Sequence, residues 1–514
     1  MISKDVDFEN IDLECKHTWA LIGAGNTKGV FQLESRLGQS MAKRLKPSNI
    51  EELAALISIM RPGCLEAVRD NKTVSNHYID KKNGLESVDY FHMSLEPILK
   101  STYGEMVYQE QAMQICQQIA NFDLSEADML RKAIGKKNPE EMARIKTLFI
   151  NKTKEAQIVN EKESEQIFSW IEKSQRYSFN KSHAISYAMN AYTSAYCKAH
   201  FSREFFMSYL KFAKDKIDPM REINELINNA NELNIIVLKP DIRKVNSEFI
   251  LQDNKIYFGL TNIKGVGQSI YDKLMSLILL HNLDITNCNL NQMLFLILDN
   301  INSTAAKAIV SVGSLEYLNV SRKSILFYLS LIQNLSKREK DIIIKDNMLD
   351  HSLKDILEYL KKHVNKKRLI VIDSLLLSLQ TPAYSLIDDY EWLASIEKQN
   401  LGISITCSIV DGRDLDSANT ECRELSRGSI FAKNILVGAE ILELNIIKTK
   451  TGKNPGQEMA FIKISDGTGS CDIIAFPTTF SYYKDLLSIH NTVMFSLEQS
   501  KNKDGYIAKK CWQI

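Results

Sequence analysis

Along most of this 514-residue chain apolar side chains return every third or fourth position, and only past Asn434 does the interval shorten towards two. The first rhythm predicts helices and the second predicts strands. Helices are expected over Glu51–Met60, over Tyr108–Ala120 and from Asp123 onward. Others are expected around Ile167–Ile171, along a stretch ending at Phe201, over Pro219–Leu233 and on to about Leu335. Gly29–Ser35 reads as a compact turn-and-strand unit ahead of a basic helix, which Pro47 breaks before Asn49 caps the next. Gln109 and Gln111 read equally as plain surface polarity or as residues with a role. Phe249–Leu251 and Ile256–Phe258 form a small strand pair, Lys354–Lys367 is a charged helical stretch, and Arg413–Gly428 is polar enough for a loop.

Five strands follow at Ile435–Lys448, Met459–Ser465, Cys471–Phe476, Thr492–Leu497 and Tyr506–Trp512. With a helical Tyr482–Leu487 between the third and fourth, they fit an OB-fold. The fold class is therefore mainly α, with a C-terminal β domain.

Two local signals stand out. Asp123 with Glu126, and Ser125 with Asp128, are overlapping helix starts, and Gly135 supplies a stop. Eight Lys or Arg against two Glu lie between Arg131 and Lys154, in a chain whose net charge is only +1. Such local positive charge suits a triphosphate or a nucleic-acid backbone. Asn180, Lys181, Ser182 and His183 stand at the start of the long helix, followed by Ala184, Ala188, Ala191, Ala195 and Ala199. The alanines let another helix approach closely. A Lys and a His at a helix N-terminus oppose its dipole, a conflict that an anion in front would remove. A solvated basic face is the competing explanation.

Composition adds the compartment. Hydrophobic residues at 44% and charged ones at 25% describe an ordinary water-soluble chain. Nine cysteines without a C-x-x-C pair give neither a zinc ribbon nor a disulfide framework, so a reduced, cytoplasmic setting is expected. Asp5, Asp7, Glu9 and Asp12 argue against a secretory signal, and no apolar run approaches bilayer length.

Several segments carry a family likeness. Gly29-Val-Phe-Gln-Leu-Glu-Ser35, Arg61-Pro-Gly63, Thr102-Tyr-Gly104, Tyr108-Gln-Glu-Gln111, Ala127-Asp-Met-Leu-Arg131, Gly135-Lys-Lys137 and Phe179-Asn-Lys-Ser-His183 occur in this order. The sequence resembles the bacterial replicative DNA polymerase III α subunit, a C-family polymerase, continuously from about Ile11 to Gly267 and more thinly beyond. The resemblance implies a lead-in (1–28), a helical fingers domain (29–215), a helix-hairpin-helix duplex- and clamp-binding domain (216–335), a helical connector (336–428) and an OB-fold domain (429–514). It implies that Arg131, Lys132, Lys136, Lys137, Lys181 and His183 hold the incoming dNTP. Lys132 replaces the second of a paired arginine, so it keeps charge but loses the planar fork. Arg36, Lys43, Arg44 and Arg61 are candidates for template or phosphate contact. Cys64 stands where the family pattern has a second proline.

Leu260-Thr-Asn-Ile-Lys-Gly-Val-Gly267 reads as a helix-hairpin-helix, with Lys264, Gly265 and Gly267 as DNA contacts through backbone N–H groups; a simple tight turn is the competing reading. Lys448, Lys450 and Lys453 would suit single-stranded DNA, while a protein-docking role for the OB domain competes equally.

Nucleotidyl transfer needs two divalent metals held by carboxylates on a rigid sheet. In the family those belong to a palm, and no palm stands ahead of Gly29. Asp5 and Asp7 imitate its Asp-x-Asp pair but have too little sequence around them for a sheet, and Asp414 with Asp416 sits in a polar loop. The expectation is a split polymerase with no catalytic or metal-binding residue of its own, inactive alone. A separate chain would carry the palm and PHP domain and hold Mg2+. Other expected partners are primer–template DNA, dNTP and a sliding clamp, and no membrane. Gln292-Met-Leu-Phe295 is the only clamp-motif candidate and reads better as core. The alternative is a non-catalytic DNA-binding or scaffolding protein of the same descent.

Overall fold

The computed structural model describes residues 7–8, 10–136, 139–174, 178–428, 434–449, 455–500 and 505–514, and divides into Met1–Phe205 and Phe206–Ile514.

The first unit has two helical cores. One gathers α1 (Lys16–Gly23), α2 (Arg36–Leu45), α3 (Ile50–Ile59), α4 (Val74–Lys82) and, from much later in the chain, the helix over Lys181–His200. Glu52 to Ile59 are all buried, so α3 is a central rod rather than an amphipathic face. Asn49 caps it by accepting from the Glu52 N–H at 2.9 Å. Ala184, Ala188, Ala191 and Ala195 are fully buried, and their small size lets that later helix lie against α3. The second core is built by α5 (Gln109–Ala120), α6 (Leu124–Lys136), α7 (Pro139–Ala156) and α8 (Glu161–Ser174), around Ile115, Phe149, Phe168 and Ile171. The Lys181–His200 helix is α9.

Three local expectations need correction here, and one open reading is decided. Residues 29–35 fold as successive turns without a strand, because Gly29 (φ 78°) and Gln32 (φ 64°) leave the extended region. The helix start at Asp123 is a reciprocal pair with Glu126 (2.8 and 2.9 Å), whereas Asp128 takes no part in capping. Gly135 does not stop α6, which runs to Lys136. Packing of α6 on α5 and α7 outweighs the roughly 1 kcal/mol that a helical glycine costs. Gln111 is buried, not surface polarity.

After the helix Ser202–Phe212, which runs into the second unit, come α10 (Pro219–Glu232) and a three-stranded sheet, β1 (Val237–Leu238), β2 (Ile250–Gln252) and β3 (Lys255–Tyr257), in which β1 runs parallel to β3 and adds a strand to the expected pair. A hairpin at 263–267 leads into α11 (Gln268–Leu280), and the limb before it is a single 3-10 turn, Leu260–Asn262. Then come α12 (Ser303–Ser311), α13 (Arg322–Gln333), α14 (Lys337–Lys345), α15 (Leu353–Leu360), α16 (Lys366–Gln380) and α17 (Tyr390–Leu401). The stretch 413–428 is mostly loop but contains a helical turn, Cys422–Arg427, whose Cys422 and Leu425 enter the core of the following barrel.

That barrel closes in the order β8-β6-β5-β4-β7, from β4 (Ile435–Lys448), β5 (Glu458–Ser465), β6 (Ser470–Ala475), β7 (Thr492–Gln499) and β8 (Tyr506–Gln513). The parallel pairing of β8 with β6 and the helix α18 (Pro477–Tyr483) between β6 and β7 give OB topology. The helix starts earlier than expected because Pro477 takes its first turn. No helix among the described residues is long and apolar enough to cross a membrane.

Candidate nucleotide and DNA site

The two cores of the first unit meet at one backbone bridge. Phe179 donates its N–H to Val107 O (3.0 Å) and accepts from the Gln109 N–H (3.0 Å), in a parallel bridge with Tyr108. The bridge and Glu110 bring the N-termini of α5 and α9 together at one edge.

Gln111 fixes the α5 side of this bridge. Its Oε1 accepts from the N–H groups of Val107 and Tyr108 (both 2.9 Å), and its Nε2 donates to Thr102 Oγ1 (2.7 Å) and Ile98 O (3.3 Å). On the other side Asn180 caps α9, accepting from the His183 N–H at 2.8 Å. Glu110 spans the two ends: it accepts from the Lys181 N–H (2.9 Å) and from Asn180 Nδ2 (2.7 Å). Lys181 Nζ lies 3.6 Å from Glu51 Oε1 and 5.8 Å from the Tyr108 ring centre. The dipole conflict at this helix start is thus met within the chain, by two carboxylates.

Around His183 runs a line of rings. Its imidazole lies 5.3 Å from Phe179 and 4.1 Å from Tyr187; Tyr187 is 5.2 Å from Phe31, and the Arg61 guanidinium stacks 3.8 Å over Phe179. Residues from Gly29–Ser35, Arg61–Gly63, Tyr108–Gln111 and Phe179–His183 therefore converge at the start of α9. Polar and cationic groups on a stacking surface can hold a base and its phosphates together.

The α6 cations sit in the second core's layer. Asp128 receives Arg131 (Nε 2.8 Å, NH2 2.7 Å) and Lys132 (2.8 Å), and the hydrogen bonds from Lys132 and Arg131 hold its carboxyl below the usual carboxylate range. Among the described residues these cations make no contact with Lys181 or His183. The Lys136 side chain and Lys137 lie outside what is described.

Lys43 and Arg44 occupy the last turn of α2, where cations suit the dipole, and Arg44 donates to Asn76 Oδ1 at 2.9 Å. Arg36 and Arg61 are exposed. Lys264, Gly265 and Gly267 are exposed at the hairpin, and only Gly265 (φ 84°) needs its glycine for the backbone. A Cβ at either glycine would meet nothing within 4 Å. The N–H groups of Gly265, Gly267, Gln268 and Ser269 find no acceptor among the described residues. Lys448 ends β4 opposite Glu458, while Lys450 and Lys453 lie outside the described residues. Phe461 and Phe476 are exposed on the barrel at 42% and 44%, with Ile474 opposite Phe461 in register.

Asp5 lies outside the described residues, and Asp7 is exposed and accepts from Asn10. Asp414 and Asp416 are exposed in their loop. No group of three or more metal-ligating side chains occurs among the described residues. Met293, Leu294 and Phe295 are buried, so this clamp-motif candidate is core.

Comparison with known proteins places these features. Residues 1–157 match the bacterial DNA polymerase III alpha subunit finger domain, and residues 234–277 match a helix-hairpin-helix motif. DNA polymerase III subunit alpha of Aquifex aeolicus is 31% identical over 503 residues, covering 95% of this chain and 38% of that protein. The chain is homologous to a C-terminal portion of the DNA polymerase III α subunit. Its counterpart in Helicobacter pylori J99 is 29% identical over 521 residues (97% of this chain, 40% of that protein), and that of Chlamydia trachomatis is 38% identical over 265 residues (52% and 20%). The chain spans about two fifths of the α subunits it matches along its whole length.

Sequence reasoning gave no site role to Glu110, Glu51 or Asp128, nor to the ring line through Phe31 and Tyr187. Glu110 lies within a motif already singled out, but its partner is 71 residues away and nothing local announces it.

Proposed function

We propose that this α-subunit portion supplies the fingers, duplex-binding and OB parts of a replicative DNA polymerase, binding the incoming dNTP and the primer–template. The observation that carries the reading is the convergence of four motif segments on the N-terminus of α9. The triphosphate would be held by Lys181 and His183, with Arg131, Lys132, Lys136 and Lys137 approaching from α6. Glu51 and Glu110 occupy part of that charge beforehand, and a polyphosphate of higher charge would take over their donors. The base would lie against the rings. As pyrophosphate leaves, the same cations offset the charge that develops on it.

Mg2+ would be held by carboxylates of a palm on a separate PHP-bearing chain. The hairpin at Lys264–Gly267 would grip duplex phosphate through the N–H groups that find no acceptor among the described residues, and the barrel face around Phe461 and Phe476 suits single-stranded DNA. A sliding clamp is the expected accessory partner.

Primer extension tests this. The chain alone is expected to be inactive and to become active with the palm-bearing chain. In that assembly Lys181→Ala and Arg131→Ala should each raise the apparent dNTP KM about tenfold, the loss of one charge-assisted contact of about 1.4 kcal/mol. Extension by this chain alone would refute the split. Unchanged dNTP kinetics in both variants would favour the alternative, a DNA-binding scaffold of the same descent.

A further inference from the structure

Two helix starts in the second unit carry charge that none of these roles uses. Helix α14 opens with Ser336 as cap, then Lys337, Arg338 and Glu339; helix α16 opens with Asn365 as cap, then Lys366, Lys367 and Arg368. Their third residues are joined. Arg368 donates from Nε to Glu339 Oε1 at 2.8 Å and from NH2 to Glu339 Oε2 at 2.7 Å, and NH2 also reaches Asn334 O at 3.0 Å. The Glu339 side chain is only 4% exposed, so this forked bridge sets the two N-termini side by side.

What the bridge leaves outside is cationic. Lys337, Arg338, Lys366 and Lys367 are all exposed, and none has an acidic partner among the described residues. Lys362, in the turn before α16, is exposed and likewise unpaired among them, whereas its neighbour Lys361 is matched by Asp373 (2.9 Å) and Glu358 (3.2 Å). Cations in a first helical turn oppose the macrodipole, and here two such turns put them near one another. Stability alone would favour carboxylates at these positions. A polyanion lying across both starts would remove the dipole conflict and the mutual repulsion together.

We propose that this paired helix start is a second DNA-contacting surface, taking the phosphodiester backbone of duplex DNA in addition to the hairpin at Lys264–Gly267. The duplex is favoured over a single strand because the rings here are not interleaved with the cations of the two helix starts. Single-strand sites alternate cations with stacking rings, whereas the one ring pair nearby, His363 on Tyr359 (4.5 Å), is stacked on itself, with the Tyr359 hydroxyl donating to Asp346 (2.8 Å). Contact through phosphate would be indifferent to sequence. The inference rests on the DNA-binding reading above but on different residues, so the two can fail separately.

The test is fluorescence anisotropy of a short labelled duplex with the full chain over a range of salt. The variants are Lys337→Ala/Arg338→Ala/Lys366→Ala/Lys367→Ala, Lys366→Glu/Lys367→Glu, and Lys264→Ala. The quadruple variant should bind at least about tenfold more weakly near ~0.1 M salt, with a slope of log K against log salt shallower by up to about 3.6, on the basis of about 0.9 per phosphate contact. The double reversal should weaken binding too while melting no earlier than the parent, since it places carboxylates where the dipole favours them. Unchanged affinity and slope in both variants overturn the proposal, and if Lys264→Ala binds weakly beside them, the hairpin remains as the duplex contact. A parent chain with no affinity for duplex overturns both readings. A loss confined to single-stranded DNA, with duplex binding intact, also overturns this one.

Discussion

Replacing Glu397 by alanine is expected to cost the second unit about 4 kcal/mol, the usual result of leaving a buried partner charge unmatched. Glu397 is fully buried, and so nearly is Arg322. Glu397 accepts from Arg322 NH1 (2.7 Å), from the N–H groups of Ile405 (2.7 Å) and Thr406 (2.9 Å), and from the Thr406 hydroxyl. Arg322 in turn donates to Ser311 O (2.9 Å) and Thr406 Oγ1 (2.8 Å). Through Arg322 this α17 carboxylate thus ties the end of α12 and the start of α13 to the loop ahead of the barrel. Gly313 makes room for it, since a Cβ there would lie 2.5 Å from the guanidinium. Thermal unfolding should shift down by about 5–10 °C, and the Ile405 and Thr406 amides should lose protection from hydrogen exchange. Arg322→Met/Glu397→Leu should regain much of the loss, because it removes both charges rather than one. A single alanine variant that melts like the parent would show that the network contributes little.

The second large effect belongs to Gln111→Leu. Its side chain, 3% exposed, serves two N–H groups, one hydroxyl and one carbonyl. Leucine keeps the volume but strands the Val107 and Tyr108 N–H groups, while the Thr102 hydroxyl still donates to Leu99 O (3.2 Å) and Glu105 O (2.6 Å). At about 1–3 kcal/mol for each group left without water or partner, a net loss of about 3 kcal/mol is expected. The damage should be local as well as global. Val107 and Tyr108 carry the bridge to Phe179, so loosening them frees Glu110 from α9 and spreads the ring line. Hydrogen exchange at Phe179 and Lys181 should therefore quicken more than at α8. Equal changes across the unit would mean that Gln111 is only a packing residue.

Much of the architecture was legible because it rests on local rules. The barrel strands alternate or run apolar, so their positions were readable to within two residues; Asn49 announced a helix start that the structure keeps, and of the two caps open for the long helix, Asn180 and Ser182, it uses Asn180. The alanine interval correctly implied a close helix neighbour. What was hidden depends on distant parts of the chain. The dipole argument at Lys181 asked for an anion, and the sequence could not disclose that Glu110 and Glu51 already provide one. Asp128 read as the carboxylate partner of a Ser125 cap because its spacing fits one; the true box, Asp123 with Glu126, left it to neutralise Arg131 and Lys132. Gly135 read as a stop because propensity was weighed without the packing that carries α6 through it. Gln111 could not be told from a surface glutamine, since its partners include Ile98 and Thr102 from before the motif.

The site itself was legible as a set of motifs but not as a place. Phe31, Arg61, Tyr108 and Phe179 are far apart in sequence; the parallel bridge joins Tyr108 to Phe179, and stacking of Arg61 on Phe179 and of Phe31 beside Tyr187 brings the others to the same edge.

Photo-crosslinking with an azido-dATP tests that placement most directly, using the full chain joined to the proposed palm-bearing chain and peptide mapping of the label. The account predicts adducts on peptides containing Tyr108, His183 or Tyr187, competed away by unlabelled dNTP and reduced by Lys181→Ala. Label scattered over other surfaces, or concentrated on the partner with none near α9, would contradict it.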